Sequence, residues 1–206
     1  MNELEKQQNI SRRFGLGYFM LFAMYGISSP YLQLMVRRLG YSPATVGFFL
    51  GFFELVGITG PIFIGQIADR FGKLKPFLYA SAIMILVGLA LLAPFRLPLV
   101  TLLSLALLSI GIKTPIPVLD TSLLRAIEYS EEKGEKAPNY GIIRAIGSAG
   151  FVITALIAQS IPGFDSSSTG TMAIPLGILA LLFLFSIPSL PEIGAGQARK
   201  EKIKFS

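Results

Sequence analysis

Six long apolar runs limit what this chain can fold into more than any other feature of its sequence. Four of them contain no ionised side chain, namely residues 14–36, 76–95, 145–164 and 166–191. Residues 39–68 contain only Glu54, and residues 97–119 contain only Lys113. A helix needs about 20 apolar residues to cross roughly 30 Å of hydrocarbon, because each residue adds about 1.5 Å. The runs therefore predict an all-α membrane protein with six transmembrane helices.

A signal peptide and buried soluble helices also contain apolar runs, but neither fits this sequence well. A signal peptide does not fit, because the first run is longer than the apolar region of a signal peptide and no small-residue cleavage site follows it. Soluble helices would need a polar surface, yet charged residues are 15% of the chain and hydrophobic residues 52%. Soluble domains carry about 25% charged residues. The chain therefore has too little polar sequence to cover a soluble core.

The basic residues predict the orientation of the bundle. Lys and Arg collect on the cytoplasmic side of a membrane because they resist translocation. Most of the 18 here flank alternate ends of the runs, namely Lys6, Arg12, Arg13, Arg70, Lys73, Lys75, Arg125, Lys133, Lys136, Arg199, Lys200, Lys202 and Lys204. Both termini are therefore expected in the cytoplasm, with the bundle in the plasma or inner cell membrane. The net charge of +6 then requires no nucleic-acid partner.

Cysteine and histidine are both absent, which excludes several kinds of chemistry. The chain has no thiolate nucleophile, no histidine acid or base, and no Cys/His metal ligands. A metal-dependent lipid enzyme would need a cluster of acids, but only Glu54 and Asp120 are expected at membrane depth. The sequence therefore predicts a protein that is not an enzyme and has neither a metal site nor a cofactor.

Loops and composition divide the chain into three parts. Residues 1–13 are predicted to form a cytoplasmic tail, 14–190 the six-helix bundle, and 191–206 the start of a cytoplasmic linker. Within the bundle the expected spans are 14–36, 43–68, 76–95, 97–122, 140–162 and 170–190. The charged stretch 128–139 is predicted to be the longest loop and a cytoplasmic hinge between the fourth and fifth spans.

Ionisable residues at membrane depth cost about 2.5–3.5 kcal/mol on insertion scales, so they usually face a cavity and pair. Lys113 and Asp120 are seven residues apart and share one face of the fourth span, and Arg144 and Ser148 share a face of the fifth. Asp120 and Arg144 are therefore expected to pair. The pair either fixes two helices together or opens to bind a solute; alternatively Asp120 lies at the cytoplasmic boundary.

Three further residues have more than one interpretation. Glu54 is either a proton site or an ion-pair partner of Arg37, Arg38 or a second half. Lys113 is a counter-ion of Asp120 or Glu54, or a contact for an anionic substrate. Tyr25, on the first span, either lines a cavity or, like most aromatic residues of the chain, faces lipid or the core.

A local motif in the loop after the second span carries a family resemblance. Gly65, Asp69, Arg70, Gly72 and Lys73 form the pattern G-x-x-x-D-R-x-G-K, which resembles the loop motif of the major facilitator superfamily. In that family the acid and arginine form a charge relay with neighbouring helix ends, which stabilises one state and breaks during transport. The resemblance implies this gating role for Asp69 and Arg70.

A run in the fifth span narrows the resemblance. Residues 140–151 follow the pattern Y-G-x-x-R-x-x-G-S-x-G-F, which is similar to the lactose permease and phenylpropionate permease branch of the superfamily. By this resemblance Asp120 and Arg144 correspond to an acid and an arginine that bind substrate. Lys113, Tyr25 and Ser148 are further substrate-binding candidates, and Asp120 and Glu54 are candidates for proton coupling.

The resemblance covers nearly the whole chain, but only the N-terminal six-helix half of the family's twelve-helix fold. It implies a proton-coupled symporter half that moves a small organic solute. The second half is then a missing C-terminal half, a separate chain or a homodimer mate. A membrane scaffold or assembly subunit without transport, or an inactive truncated product, is the alternative.

Overall fold

The computed structural model describes residues 3–71, 73–92, 94 and 96–191. Its regular elements are helices: α1 (Glu3–Arg37), α2 (Pro43–Phe71), α3 (Lys75–Leu92), α4 (Pro98–Lys113), α5 (Pro115–Glu132), α6 (Tyr140–Ser160), α7 (Thr169–Ser186) and a terminal 3₁₀ turn (Ile187–Ser189). Within these residues, six helical segments are long and apolar enough to span a membrane. The prediction of an all-α membrane protein with six transmembrane helices is confirmed.

The first helix begins well before the predicted span, within the stretch expected to be a tail. It starts at Glu3 rather than at residue 14, and it contains neither proline nor glycine until Gly15. Glu, Leu, Lys and Gln in this stretch are good helix formers, so the membrane helix continues into the polar region without a break. The apolar run therefore does not mark where the helix begins.

The fourth span consists of two helices joined at Thr114. Pro115 and Pro117 have no N–H group, so the carbonyls four residues before them, in Gly111 and Lys113, lose their usual helical donors. Thr114 keeps helical angles, φ −63° and ψ −39°. The span therefore runs from Pro98 to Glu132 with a local interruption rather than a sharp turn.

Helix α1 lies at the centre of the bundle, where it contacts α2, α4, α5, α6 and α7. Its closest neighbour is α6, and glycines make that approach possible. A Cβ atom at Gly26 would lie 2.5 Å from the Phe151 carbonyl oxygen, and one at Gly150 would lie 2.5 Å from the Phe19 carbonyl oxygen. Small residues permit such backbone contact, which drives helix association where lipid gives no hydrophobic advantage.

Hydroxyl groups add bonds between neighbouring helices. Ser104 donates to the Gly88 carbonyl at 2.7 Å, joining α4 to α3. Thr169 donates to the Met35 carbonyl at 2.7 Å, joining α7 to α1. These side chains are buried, so each hydroxyl finds its partner in a facing backbone.

Basic and amide side chains join the helix ends on the side predicted to be cytoplasmic. Gln7 donates to the Ala137 carbonyl at 2.9 Å, in the connection between α5 and α6. Arg13 and Lys75 donate to the carbonyls of Ser189 and Pro188 at 3.3 and 3.1 Å. The first turns of α1 are thereby bonded to the α5–α6 connection and to the terminal 3₁₀ turn.

Gly150 lies in a tight helix contact whereas Gly51 faces open space, so the two glycines provide a matched test of stability. Gly150→Ala should lower the free energy of unfolding by about 1–3 kcal/mol, because the new methyl group overlaps the backbone of α1. Gly51→Ala has open space around the new Cβ atom and should leave stability unchanged or raise it by up to about 1 kcal/mol. Thermal unfolding of the purified variants in detergent measures both. Equal melting temperatures would contradict the packing role of Gly150.

Candidate functional site

Five of the residues predicted as site residues lie in two groups on one face of the bundle. The first, the Asp120 cluster, contains Tyr18, Phe22, Asp120, Tyr140 and Arg144. The second, the Glu54 pocket, is a cavity whose polar lining is Tyr25, Ser28, Ser29, Gln33, Glu54 and Lys113.

The Asp120 carboxylate is held by two tyrosine hydroxyls. Tyr18, buried on α1, donates to Oδ1 of Asp120 at 2.5 Å. Tyr140, at the start of α6, donates to the same oxygen at 3.2 Å. Asp120 itself lies on α5, so the carboxylate bonds one span to the two helices beside it.

Arg144 lies against aromatic rings rather than against the acid. Its guanidinium carbon is 4.7 Å from the ring centre of Phe22 and 5.4 Å from that of Tyr18. A cation over a ring face is attracted by the ring's quadrupole. The Nη1 atom is buried and has no hydrogen-bond partner in the described part of the chain.

The structure differs here from the expected salt bridge between Asp120 and Arg144. Among the described residues no ion pair joins them, because Tyr18 lies between: its hydroxyl binds Asp120 and its ring contacts Arg144. The acid and the arginine belong to one cluster without neutralising each other directly. Ser148, the other candidate on α6, is exposed and donates to its own helix at the Arg144 carbonyl, at 3.4 Å.

Glu54 and Lys113 form an ion pair between α2 and α4. The Lys113 Nζ atom lies 2.5 Å from Oε2 of Glu54 and 5.0 Å from the ring centre of Phe53. Arg37 and Arg38, which the sequence offered as alternative partners of Glu54, lie at and just after the end of α1, and Glu54 pairs with Lys113 instead. Of the alternatives for Lys113, the structure favours a counter-ion of Glu54.

The Glu54 pocket has a volume of about 230 Å³ and lies between α1, α2 and α4. Tyr25 is part of its lining, away from the Asp120 cluster. Tyr18 and Tyr25 are seven residues apart on α1, as Lys113 and Asp120 are along α4 and α5. Two helical turns span about 10 Å, so the pocket and the cluster follow each other along one face.

An aromatic ladder connects the two groups. Phe22 stacks on Tyr18 with ring centres 6.4 Å apart and packs against Tyr25 at 6.0 Å. Tyr18 and Phe22 are not predicted as site residues from the sequence. Their spacing from Tyr25 was the available signal, since positions i, i+4 and i+7 share a helix face.

The loop motif after the second span lies partly outside the described residues. Gly72 lies outside the described residues, as do the side chains of Asp69 and Arg70 and the surroundings of Gly65. The α2 helix continues through this stretch to Phe71, and Lys73 is exposed in the connection before α3. The gating role of the motif stays a prediction.

Acidic side chains are too scattered to suggest a metal centre. Within the residues that the structure describes, no three acids come close enough to hold an ion. The chemistry of the face is therefore that of hydrogen bonds, ion pairs and cation–ring contacts.

Comparison with known proteins gives a matching family model and similar curated proteins. A family model described as the MFS_1 like family matches residues 12–203. Multidrug resistance protein MdtH of Proteus mirabilis is 32% identical over 168 residues, which cover 82% of this chain and 39% of MdtH. MdtH of Yersinia enterocolitica is 33% identical over 150 residues, which cover 73% of this chain and 35% of that protein.

A solved structure has the same fold. The crystal structure of the nucleoside transporter NupG superposes with a TM-score of 0.76, covering 92% of this chain and 46% of NupG, at 18% identity. The chain spans less than two-fifths of the MdtH relatives and under half of NupG. Its six helices thus correspond to one half of a longer transporter fold. The chain belongs to the MFS_1-like family of the major facilitator superfamily.

Proposed function

We propose that this chain forms one half of a secondary transporter that moves a small organic solute by proton-coupled symport. In such transporters the solute site lies near the membrane midplane between two repeats, which rock to give alternating access. The MdtH relatives are named for multidrug resistance and NupG for nucleosides, and a small organic solute is the class common to both.

The observation that carries this proposal is the unused hydrogen-bonding capacity of Arg144. Its buried Nη1 atom has no partner among the described residues. An unpaired buried donor is costly, and more so on a charged group. A solute that offers hydroxyl, carbonyl or carboxylate oxygens would satisfy it, and the planar guanidinium favours acceptors that bind two donors at once.

Asp120 supplies the complementary acceptor and the proposed proton site. Ionised, it accepts the hydroxyl hydrogens of Tyr18 and Tyr140; protonated, its carboxyl group gains a donor of its own. Proton binding would thus change the bonds available to a solute held beside Arg144. Lys113, Tyr25 and Ser148 are further candidates for solute contact, and Glu54 is a second candidate for proton coupling.

A second six-helix half is needed to close the cavity. The α2 and α6 spans are the least buried of the described bundle, and both carry large exposed apolar side chains, among them Leu55, Ile58, Leu156 and Ile157. These helices flank the Asp120 cluster and the Glu54 pocket. The mate is a C-terminal half of a longer chain, a separate protein or a second copy.

We further propose a cell-membrane location with both ends in the cytoplasm, supported by the distribution of basic residues. The loop motif around Asp69 and Arg70 would then lie on the cytoplasmic side. There it would stabilise one state of the rocking cycle.

The first prediction concerns the two charged residues of the cluster. Asp120→Asn and Arg144→Ala should each lower solute uptake by about tenfold or more, because hydrogen bonds to charged groups contribute roughly 1.5–3 kcal/mol. Uptake is measured in vesicles that contain the chain with its second half, across a panel of labelled organic solutes. Asp165→Asn and Arg37→Ala, exposed and outside the cluster, are the matched controls. Wild-type uptake with unchanged pH dependence in both cluster variants would refute these roles.

The second prediction separates the hydroxyl of Tyr18 from its ring. Tyr18→Phe keeps the ring under Arg144 but removes the bond to Asp120. If Asp120 is the proton site, losing this donor changes the hydrogen bonds that its carboxyl group makes with and without the proton. The pH profile of uptake should therefore differ from that of the wild type. Tyr129→Phe, at the far end of α5, should not move it; a profile unchanged in Tyr18→Phe would argue against Asp120 as the proton site.

A further inference from the structure

The Glu54–Lys113 pair exposes its two charges very unequally. The side chain of Glu54 is 64% exposed, whereas that of Lys113 is 19% exposed. A molecule entering the Glu54 pocket therefore meets a carboxylate, while the ammonium group lies beneath it. The ion pair is neutral overall, but its accessible part is negative.

Packing explains why Lys113 is covered. Its Nζ atom lies over the Phe53 ring, and its stem crosses α2 at Gly57. A Cβ atom at Gly57 would lie 2.6 Å from Lys113 Nζ and would overlap the stem. The lysine therefore lies along α2, where it contacts the Phe53 ring, Gly57 and the Glu54 carboxylate.

The opposite wall of the pocket offers hydrogen-bonding groups that are not in use. Tyr25, Ser28, Ser29 and Gln33 line it from α1, and in the described part of the chain their side chains make no hydrogen bond. Hydroxyl and amide oxygens are acceptors, as is the second oxygen of the Glu54 carboxylate. The pocket thus presents acceptors on two sides and apolar side chains such as Leu50 between them.

We propose that the Glu54 pocket is a binding site for a small primary amine in its ammonium form. An ammonium group carries three donors and a positive charge, which match the exposed carboxylate and the α1 oxygens. The pocket volume of about 230 Å³ leaves room for a small organic molecule. This inference rests on the proposed function only in assigning the pocket to the solute-facing wall.

A purely structural ion pair makes a different prediction for Lys113. If the ion pair only joins α2 to α4, removing either charge should have the same effect on ligand binding in the pocket. If the pocket binds an amine, the lysine competes with it for Glu54. Removing the lysine should then strengthen amine binding, whereas removing the acid should abolish it.

The test is a binding titration with the full 206-residue chain in phosphatidylcholine nanodiscs. Benzylamine is the probe, and benzyl alcohol and benzoate are its neutral and anionic counterparts; ligand-observed NMR gives each Kd. Benzylamine should bind at least about tenfold more tightly than the other two, because its hydrogen bond to Glu54 is charge-assisted. Glu54→Gln should remove this preference, and Lys113→Met should lower the Kd of benzylamine several-fold.

Thermal unfolding of each variant checks that it folds. If Glu54→Gln does not fold, Glu54→Asp is used in its place. Because Glu54→Asp keeps the negative charge, it should keep the preference for benzylamine but bind it with reduced affinity. Equal binding of the three probes, or weaker amine binding in Lys113→Met, would overturn the proposal. Asp120→Asn should bind benzylamine as wild type does. Loss of uptake in that variant with intact amine binding therefore separates the two proposals. Conversely, a negative result for amine binding does not bear on the proposed role of the Asp120 cluster.

Discussion

The cost of placing a charge where no water can reach it determines how the polar residues of this bundle are arranged. A charged side chain at the centre of a bilayer must pair, reach a cavity or neutralise itself. Here Lys113 pairs with Glu54, and Arg144 rests on two rings beside a tyrosine-bound Asp120. All four lie on one face of the bundle. The energetic cost that makes charged residues rare in membranes therefore favours their grouping on one face of the bundle.

Helix packing makes this arrangement possible. The close contact between α1 and α6 at Gly26 and Gly150 brings Tyr18 within reach of both Asp120 and Arg144. The contact of α2 with α4 at Gly57 leaves room for the Lys113 stem. At Gly26 and Gly150 the missing side chain lets two backbones meet, and at Gly57 it leaves room for the side chain of Lys113. A packing substitution at either glycine would therefore disturb the chemistry as well as the stability.

Much of the fold follows from the sequence, because the length of an apolar run and the spacing of polar residues are local properties. They predicted six spans and the common face of Lys113 and Asp120. The partners of those residues were not predictable in the same way, since they depend on which helices meet. Tyr18 separates Asp120 from Arg144, and Glu54 pairs with Lys113 rather than with Arg37 or Arg38, through contacts between distant helices. The packing glycines show the same limit: Gly57 lies against Lys113, whereas Gly51, earlier on the same helix, faces open space.

On the proposed function, the charges on this face also bear on what a second half would supply. The two acids, Glu54 and Asp120, are matched in number by the two bases, Lys113 and Arg144. The face would therefore need no counter-charge from such a half. What it lacks is an acceptor for the Nη1 atom of Arg144, which could come from a neutral solute or from polar side chains of a second half. If the solute and the opposite wall compete for the same guanidinium, binding of the solute would release one half from the other, which is the coupling that a rocking transporter requires.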